Sequence, residues 1–471
     1  MNRFFQTKHS MLYKQSPAIN LIIVGFFHVV AAVIIQLFFS AYQKIHAEYH
    51  IFNISSQLIH EIRKLQGIIV VIAVVYFLTA ILLHFLLPTK YKIKRKIERG
   101  LFYYPLGNPL RLKEGELLPR VNVKETEHGK YEVKIRVTAF SIDDLTNISS
   151  NISSSLNDKY FDKYAVIRSD ADLAMNYVKF IVEDVTIERK LTVTNVEQLT
   201  TGVSTKLLVQ KGTVIDLTTS GSILVAGKTR SGKTTGIISL LLQALSYGRD
   251  AFGSEIIIID PKRAELSRLP HTVTLDQSGE GMEIIRALQR FEAAVVQRQK
   301  VLNDLSEQKG DAVKWWDAGM HVSFCFIDEY VAARSIFPTK ASKEQPEYSL
   351  ANFDALTKRI VTMGASAGCY MIISIAEASV ESGGLPAMLR SAMTTKILFK
   401  PTMPEARLMW DSEKLKDFTE RTYVAGDAWF SSTDGINDNV TSVSFPFMDF
   451  KVYRELGSLL EKYYSMDLNK S

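Results

Sequence analysis

A loop between an apolar strand and an apolar helix carries the residues with the clearest chemistry. Residues 223–226 are apolar, and residues 227–234 then match G-x-x-x-x-G-K-[ST], the Walker A motif. Backbone amides of such a loop and of the following helix N-terminus bind phosphates. The lysine reaches the outer phosphates, and the threonine hydroxyl ligates Mg²⁺. The predicted nucleotide-binding residues are Gly227, Lys228, Thr229, Arg230, Ser231, Gly232, Lys233, Thr234 and Thr235.

A second apolar run, 324–327, ends at the acidic pair Asp328-Glu329, a Walker B motif. We predict that Asp328 holds Mg²⁺ together with Thr234. Glu329 is predicted to orient and deprotonate the attacking water, with Lys233 as the other catalytic residue. A GTPase would more often have Asp-x-x-Gly here, and a kinase needs no adjacent base. The pair therefore favours ATP hydrolysis, with ATP and Mg²⁺ as cofactors, over an acidic surface turn.

A third apolar run, Ile256–Ile259, ends at Asp260, Pro261, Lys262 and Arg263. The carboxylate and the cations then lie at the rim where α/β sheets bind ligands. Two interpretations stay open, a role at the nucleotide site and a structural ion pair with a turn.

Continuous apolar runs separated by helical patterns predict a parallel sheet covered on both faces. This predicts an α/β domain with a parallel-rich sheet that carries the phosphate loop. Turn-forming residues over 426–439 predict a hairpin, and the two cysteines, Cys325 and Cys369, are expected to be buried free thiols. The predicted core strands are 222–226, 256–259, 324–327, 369–375 and 396–399.

Two long apolar segments near the N-terminus, about 18–40 and 67–87, are long enough to span a bilayer. A signal peptide is the alternative for the first. The net charge of the 471 residues is +6, and the basic residues concentrate beside these segments rather than in a nucleic-acid-binding domain. By the positive-inside rule both termini and the ATPase domain are cytoplasmic and the loop 41–66 is external. The basic flank consists of Lys90, Lys92, Lys94, Arg95, Lys96 and Arg99.

Three domains are predicted. Residues 1–100 hold a two-helix transmembrane hairpin with its basic flank, 101–204 a small cytoplasmic α+β domain, and 205–471 the ATPase motor. Within the small domain, apolar and polar residues alternate from Tyr131 to Val137, which predicts a half-buried strand. A helix is expected from Ser141 to Leu156, and a further strand from Tyr177 to Val185.

The motifs together resemble those of the FtsK/SpoIIIE family of DNA translocases. The resemblance rests on the Gly227–Thr234 loop and on the later strand ending Asp-Pro-Lys-x-x-Glu, from Asp260 to Glu265. With two apolar segments and a modest intervening domain, the layout is similar to that of the TcpA-like membrane coupling proteins of Gram-positive conjugative elements.

This resemblance implies a RecA-like P-loop ATPase domain, a function and a set of partners. It implies a membrane-anchored, ATP-driven DNA translocase that acts as the coupling protein in conjugative DNA transfer. The expected partners are DNA, a relaxase and other conjugation-channel proteins, and the membrane. The expected assembly is a homo-hexameric ring with DNA threaded through its centre. An arginine finger would come from a neighbouring subunit, with Arg359, Arg390 and Arg407 as candidates.

The sequence departs from the family pattern at one point. The family usually has Gln-Arg-Pro after its fourth core strand, where the glutamine senses the γ-phosphate, whereas here Ala376-Glu377-Ala378 follows the strand. An FtsK-like ATPase that energises protein export is the alternative function. An ABC-type transporter subunit is disfavoured, because the Glu381–Gly384 segment follows the Asp-Glu strand instead of preceding it.

Overall fold

A computed structural model of the chain describes residues 17–49, 55–102, 109–110, 112–113, 115–136, 148–157, 163–171, 176–185, 190–376, 385–412, 414–415 and 423–465. The chain forms two compact units. One comprises Met1–Val166 with Ala171–Asp184, and the other comprises Ile167–Asp170 with Val185–Ser471.

The first unit begins with two long helices, α1 (Pro17–Tyr49) and α2 (Ser56–Leu86). Both are long and apolar enough to cross a membrane. They lie side by side and are linked by Gln66, whose side-chain amide donates to the carbonyl of Ala32 at 3.2 Å and to the side chain of Gln36 at 3.1 Å. The helices extend beyond the predicted spans, because the polar residues between the spans continue the helical turns.

The same unit contains a small α+β layer. Helix α3 (Thr89–Phe102) begins directly after Pro88, and its residues Ile93, Ile97 and Leu101 are buried at a spacing of one helical turn. With α4 (Ser149–Leu156) it covers a four-stranded sheet of order β1–β2–β4–β3, in which β1, β2 and β4 pair antiparallel. Residues 141–147 of the predicted helix lie outside the described residues. The strands are β1 (Val121–Glu127), β2 (Lys130–Arg136), β3 (Tyr164–Ala171) and β4 (Tyr177–Asp184).

A seven-stranded sheet forms the centre of the second unit, with the order β14–β13–β12–β8–β11–β10–β9. Five strands are parallel, and β13 and β14 form an antiparallel hairpin at one edge. The predicted α/β class with a parallel-rich sheet is confirmed. The strands are β8 (Ile223–Gly227), β9 (Ile256–Ile259), β10 (Ser323–Ile327), β11 (Cys369–Ile375), β12 (Thr395–Phe399), β13 (Asp427–Ser431) and β14 (Thr441–Ser444).

Helices cover both faces of this sheet, which explains the continuous apolar runs of its parallel strands. One face packs against α5 and α11, and the other against α6 and α8. Both cysteines are buried free thiols. The helices are α5 (Lys233–Ser246), α6 (Met282–Lys309), α7 (Tyr330–Ser335), α8 (Leu350–Met363), α9 (Ala387–Ala392), α10 (Met403–Met409) and α11 (Val452–Ser465).

Two small two-stranded sheets and three 3₁₀ turns complete the described part of the unit. Strand β5 pairs with β15, and β6 pairs with β7. The remaining elements are β5 (Thr192–Val193), β6 (Lys206–Gln210), β7 (Thr213–Asp216), β15 (Phe447–Met448) and the turns Glu197–Leu199, Leu266–Arg268 and Gly364–Ala367.

The register of the parallel strands brings four chain segments to one edge. Ala226 lies beside Ile375, and Ile327 lies beside both Ile373 and Ile259. The residues that follow these strands therefore meet at the carboxyl ends, where open α/β sheets bind ligands.

A buried arginine ties helix α6 to the opposite end of the sheet. Arg298 is 1% exposed, and its guanidinium donates to the carbonyls of Ala367 at 2.8 Å and His321 at 2.7 Å. The carboxylate of Asp250 lies 3.3 Å from the same group. Three connections to the sheet thus depend on one buried charge.

The Arg298→Ala variant should lose about 3–5 kcal/mol of unfolding free energy, because it leaves the Asp250 carboxylate buried without its cationic partner. Guanidinium unfolding of the detergent-solubilised chain measures this loss. The matched control is Lys300→Ala, on an exposed position of the same helix, which should change stability by less than about 0.5 kcal/mol. Equal stability of the two variants would contradict this structural role of Arg298.

Candidate nucleotide-binding site

The loop between β8 and α5 has the conformation that a phosphate-binding loop needs. Helix α5 begins at Lys233, and Gly232 before it has φ +95°, in the left-handed region that favours glycine. A Cβ at this position would lie 2.5 Å from the backbone nitrogen of Gly426. That nitrogen donates to the carbonyl of Ser231 at 3.0 Å. The loop is therefore held from behind by the connection that precedes β13.

Within the predicted loop, Lys228, Thr229 and Arg230 expose their side chains, so they can serve a phosphate chiefly through their backbone amides. Ser231 is different, because its hydroxyl is buried and has no hydrogen-bond partner within the described part of the chain. A buried hydroxyl without a partner is costly unless a ligand satisfies it. The Ser231 hydroxyl is therefore placed to donate a hydrogen bond to a phosphate oxygen bound in the loop.

Lys233 lies across the ends of the strands. Its ammonium donates to the carbonyl of Ile375 at 3.0 Å and lies 3.8 Å from Oε2 of Glu329. Burial lowers the pKa of Lys233, and the carboxylates of Glu329 and Asp328 oppose that shift. Lys233 lies in the first turn of α5, and its side chain is thus directed at the expected position of the phosphates.

Glu329 is held in a strained backbone conformation directly after Asp328. Its φ is +61° and its ψ +74°, a region that costs a non-glycine residue of order 1–3 kcal/mol. Its Oε1 accepts a hydrogen bond from the backbone nitrogen of Ala376 at 3.0 Å, and the ammonium of Lys262 lies 3.3 Å from its Oε2. Strain of this size persists only where the surroundings enforce it, and such positions often carry function.

Asp328 occupies the end of β10, where its backbone nitrogen donates to the carbonyl of Ile259 at 2.9 Å. Burial raises the pKa of Asp328, and the nearby Lys233 ammonium works against this rise. A buried carboxylate with a raised pKa gains from a divalent cation. The described residues contain no group of three or more His, Cys, Asp or Glu that could hold a metal. Mg²⁺ at Thr234 and Asp328 would therefore complete its ligand shell with water and phosphate oxygens, as this ion commonly does.

The third motif separates into two roles. Asp260 is fully buried and caps its own turn, because its carboxylate accepts from the backbone nitrogens of Lys262 at 3.1 Å, Ala264 at 2.8 Å and Ser267 at 3.0 Å. The structural interpretation is thus the better one for this carboxylate. The side chain of Lys262, by contrast, contacts Glu329. Sequence reasoning missed this pairing.

The three arginine-finger candidates have different surroundings. Arg359 pairs with Glu292, Arg390 donates to the carbonyl of Leu408 at 3.0 Å, and Arg407 is exposed. The choice among them stays a prediction. Glu377, which stands in the segment where the family has its sensor glutamine, lies outside the described residues, as does 381–384.

A glycine-containing phosphate loop, a lysine at the start of the next helix and an acidic pair at the end of another parallel strand of the same sheet define the P-loop class of nucleotide-binding domains. Here β11 lies between the two strands. Residues 185–329 match the model of the FtsK/SpoIIIE family. The resemblance inferred from the sequence is confirmed, and the family consists of P-loop ATPases. No curated protein sequence matches the chain.

Several solved structures are similar to this chain at low identity. The conjugation coupling protein TcpA of pCW3, in a monomer form with ATPγS, is 13% identical with a TM-score of 0.46, covering 78% of this chain and 99% of that one. EssC (ATPases 2 and 3) from Geobacillus thermodenitrificans is 17% identical with a TM-score of 0.41, covering 59% and 53%. The cytoplasmic domain of the type VII secretion ATPase EccC from Thermomonospora curvata is 15% identical with a TM-score of 0.40, covering 57% and 32%.

The Gly232→Ala variant should lose nucleotide binding, because a Cβ there collides with the backbone of Gly426 and deforms the loop. Binding of a fluorescent ATP analogue to the full chain measures this. Gly279→Ala is the matched control. Gly279 also has a positive φ, +89°, but no atom of the described residues lies within 4 Å of the place that a Cβ would occupy. Unchanged binding by Gly232→Ala would refute the assignment of the loop.

The Asp328→Asn variant should differ from wild type in thermal stability and in its response to MgATP. Because the folded-state pKa of Asp328 is raised, ionising this group costs stability as the pH rises from its unfolded value towards the folded one. At neutral pH the nucleotide-free variant should therefore melt at or above the wild-type temperature, while losing the stabilisation by MgATP. Thermal melting with and without MgATP tests this. A variant that melts lower than wild type without nucleotide, or that keeps the MgATP effect, would disprove it.

Proposed function

We propose that this chain is a membrane-anchored ATPase that translocates DNA and acts as the coupling protein of a conjugative element. The observation that carries the proposal is the meeting of Lys233, Asp328 and Glu329 at one sheet edge, inside the segment that matches the FtsK/SpoIIIE family. The domain boundaries near residues 100 and 204 remain part of the proposal.

In this proposal each residue has a defined task. The amides of residues 227–235 and the ammonium of Lys233 bind the phosphates, and Thr234 and Asp328 hold Mg²⁺. Glu329 orients the attacking water and accepts its proton. Bound MgATP supplies the phosphoanhydride bond whose cleavage drives movement of the DNA.

The anchoring rests on helices α1 and α2, each apolar over a length that can span a bilayer. Both termini and the ATPase domain face the cytoplasm in this topology, because the basic residues cluster after α2. A homo-hexameric ring would place six copies of the motor around the DNA. A relaxase and channel proteins would complete the transfer apparatus.

Two substitutions should separate nucleotide binding from hydrolysis. Lys233→Ala should abolish both hydrolysis and conjugative transfer. Glu329→Gln should retain ATP binding but turn over at least about 100-fold more slowly, the scale expected for loss of a general base. ATP hydrolysis by the purified full chain and a mating assay measure these effects.

Lys211→Ala, an exposed lysine in the turn between β6 and β7, is the control and should behave as wild type. Added DNA should stimulate hydrolysis by the wild-type chain. Retained transfer by Lys233→Ala would refute the motor role. Stimulation by an exported protein but not by DNA would instead favour protein export.

A further inference from the structure

We propose that Lys262 is a nucleotide-state sensor, which holds Glu329 in the nucleotide-free protein and moves to the γ-phosphate when ATP binds. This inference rests on the proposed ATPase function and adds a residue to its site. Lys262 would couple the presence of a γ-phosphate to the release of the general base.

The first support is the sharing of one oxygen by two lysines. Oε2 of Glu329 lies 3.3 Å from the ammonium of Lys262 and 3.8 Å from that of Lys233. Lys233 belongs to the phosphate loop, so its ammonium marks where the outer phosphates bind. The ammonium of Lys262 therefore lies next to the expected position of the outer phosphates, with only Oε2 of Glu329 between them.

The second support is the contrast between the backbone and the side chain of Lys262. Its backbone nitrogen is fixed by the carboxylate of Asp260 at 3.1 Å. Its side chain remains 49% exposed, and four rotatable bonds allow its ammonium to shift between neighbouring anions. A residue with a fixed backbone and a mobile charged side chain, such as Lys262, is suited to exchange one anionic partner for another.

The third support is the residue at the end of β11. The family resemblance places a γ-phosphate-sensing glutamine there, but Ala376 can offer only its backbone, and its amide is engaged by Oε1 of Glu329. The sensing task therefore needs another donor. An ammonium is a suitable one, because Lys acts as a compact point charge towards phosphate.

The consequence is a site whose base is engaged until ATP is present. Without nucleotide, both lysines and the Ala376 amide hold Glu329. When phosphates attract Lys233 and Lys262, Oε2 becomes free to accept a proton from water. The water oxygen then bonds to the γ-phosphorus, and the bond from that phosphorus to the bridging oxygen breaks, which yields ADP and phosphate. With ADP alone, Lys262 returns to Glu329.

Equilibrium binding of ATPγS and of ADP to the full chain tests this exchange. Lys262→Gln should weaken ATPγS binding at least about 10-fold, the scale of a lost charge-assisted hydrogen bond, and leave ADP binding within about 2-fold. The kcat for ATP should fall as well. Lys262→Arg, which keeps the charge, should restore most of the preference for ATPγS over ADP.

Arg263→Gln is the control, because it removes an exposed cation from the next position and should leave the ratio of the two affinities unchanged. An unchanged ratio of ATPγS affinity to ADP affinity in Lys262→Gln would overturn the proposal, and this includes the case in which the variant binds both nucleotides equally more weakly. If Lys262→Gln lowers the affinity for ATPγS relative to ADP but the wild-type chain transfers no DNA, only the proposed function is rejected. Transfer by a wild-type chain whose Lys262→Gln variant keeps the wild-type ratio would reject only the sensor.

Discussion

The candidate site depends on the contacts of one carboxylate, that of Glu329. One side chain receives the amide of Ala376, the ammonium of Lys233 and the ammonium of Lys262, and so joins the ends of β11, β8 and β9 to its own strand, β10. The group is 8% exposed, and an unpaired charge at that depth would be strongly destabilising. The two lysines therefore stabilise the buried carboxylate, and the same contacts occupy the predicted base.

The sheet makes this meeting possible. Parallel strands with matched register bring residues far apart in the sequence to one edge, and helices on both faces keep the strands dry. At the far end of the sheet, buried Arg298 connects α6 to two loops. The unit thus has one polar cluster at each end of an apolar layer. Of these two clusters, the one at the carboxyl ends includes a partly exposed cation, because the side chain of Lys262 is 49% exposed.

Local signals explain what the sequence could predict. The strand before Gly227 and the strand before Asp328 are unbroken apolar runs, and the phosphate loop is defined by glycines at fixed spacing. The contact of Lys262 with Glu329 could not be predicted, because strand order and side-chain reach decide it. The capping role of Asp260 likewise depends on a turn whose amides come from later residues. The lengths of α1 and α2 exceeded the apolar spans, since helix continuity does not require apolar residues.

The contact of Gly426 with the phosphate loop has a consequence for how nucleotide affinity arises. A free glycine-containing loop loses conformational entropy when it wraps a phosphate, and that loss weakens binding. Here the amide of Gly426 already fastens the carbonyl of Ser231, and its backbone occupies the space behind Gly232. The loop is therefore preorganised by the edge hairpin of the sheet. Sequence constraint on the phosphate site consequently extends to a glycine that belongs to no nucleotide-binding motif.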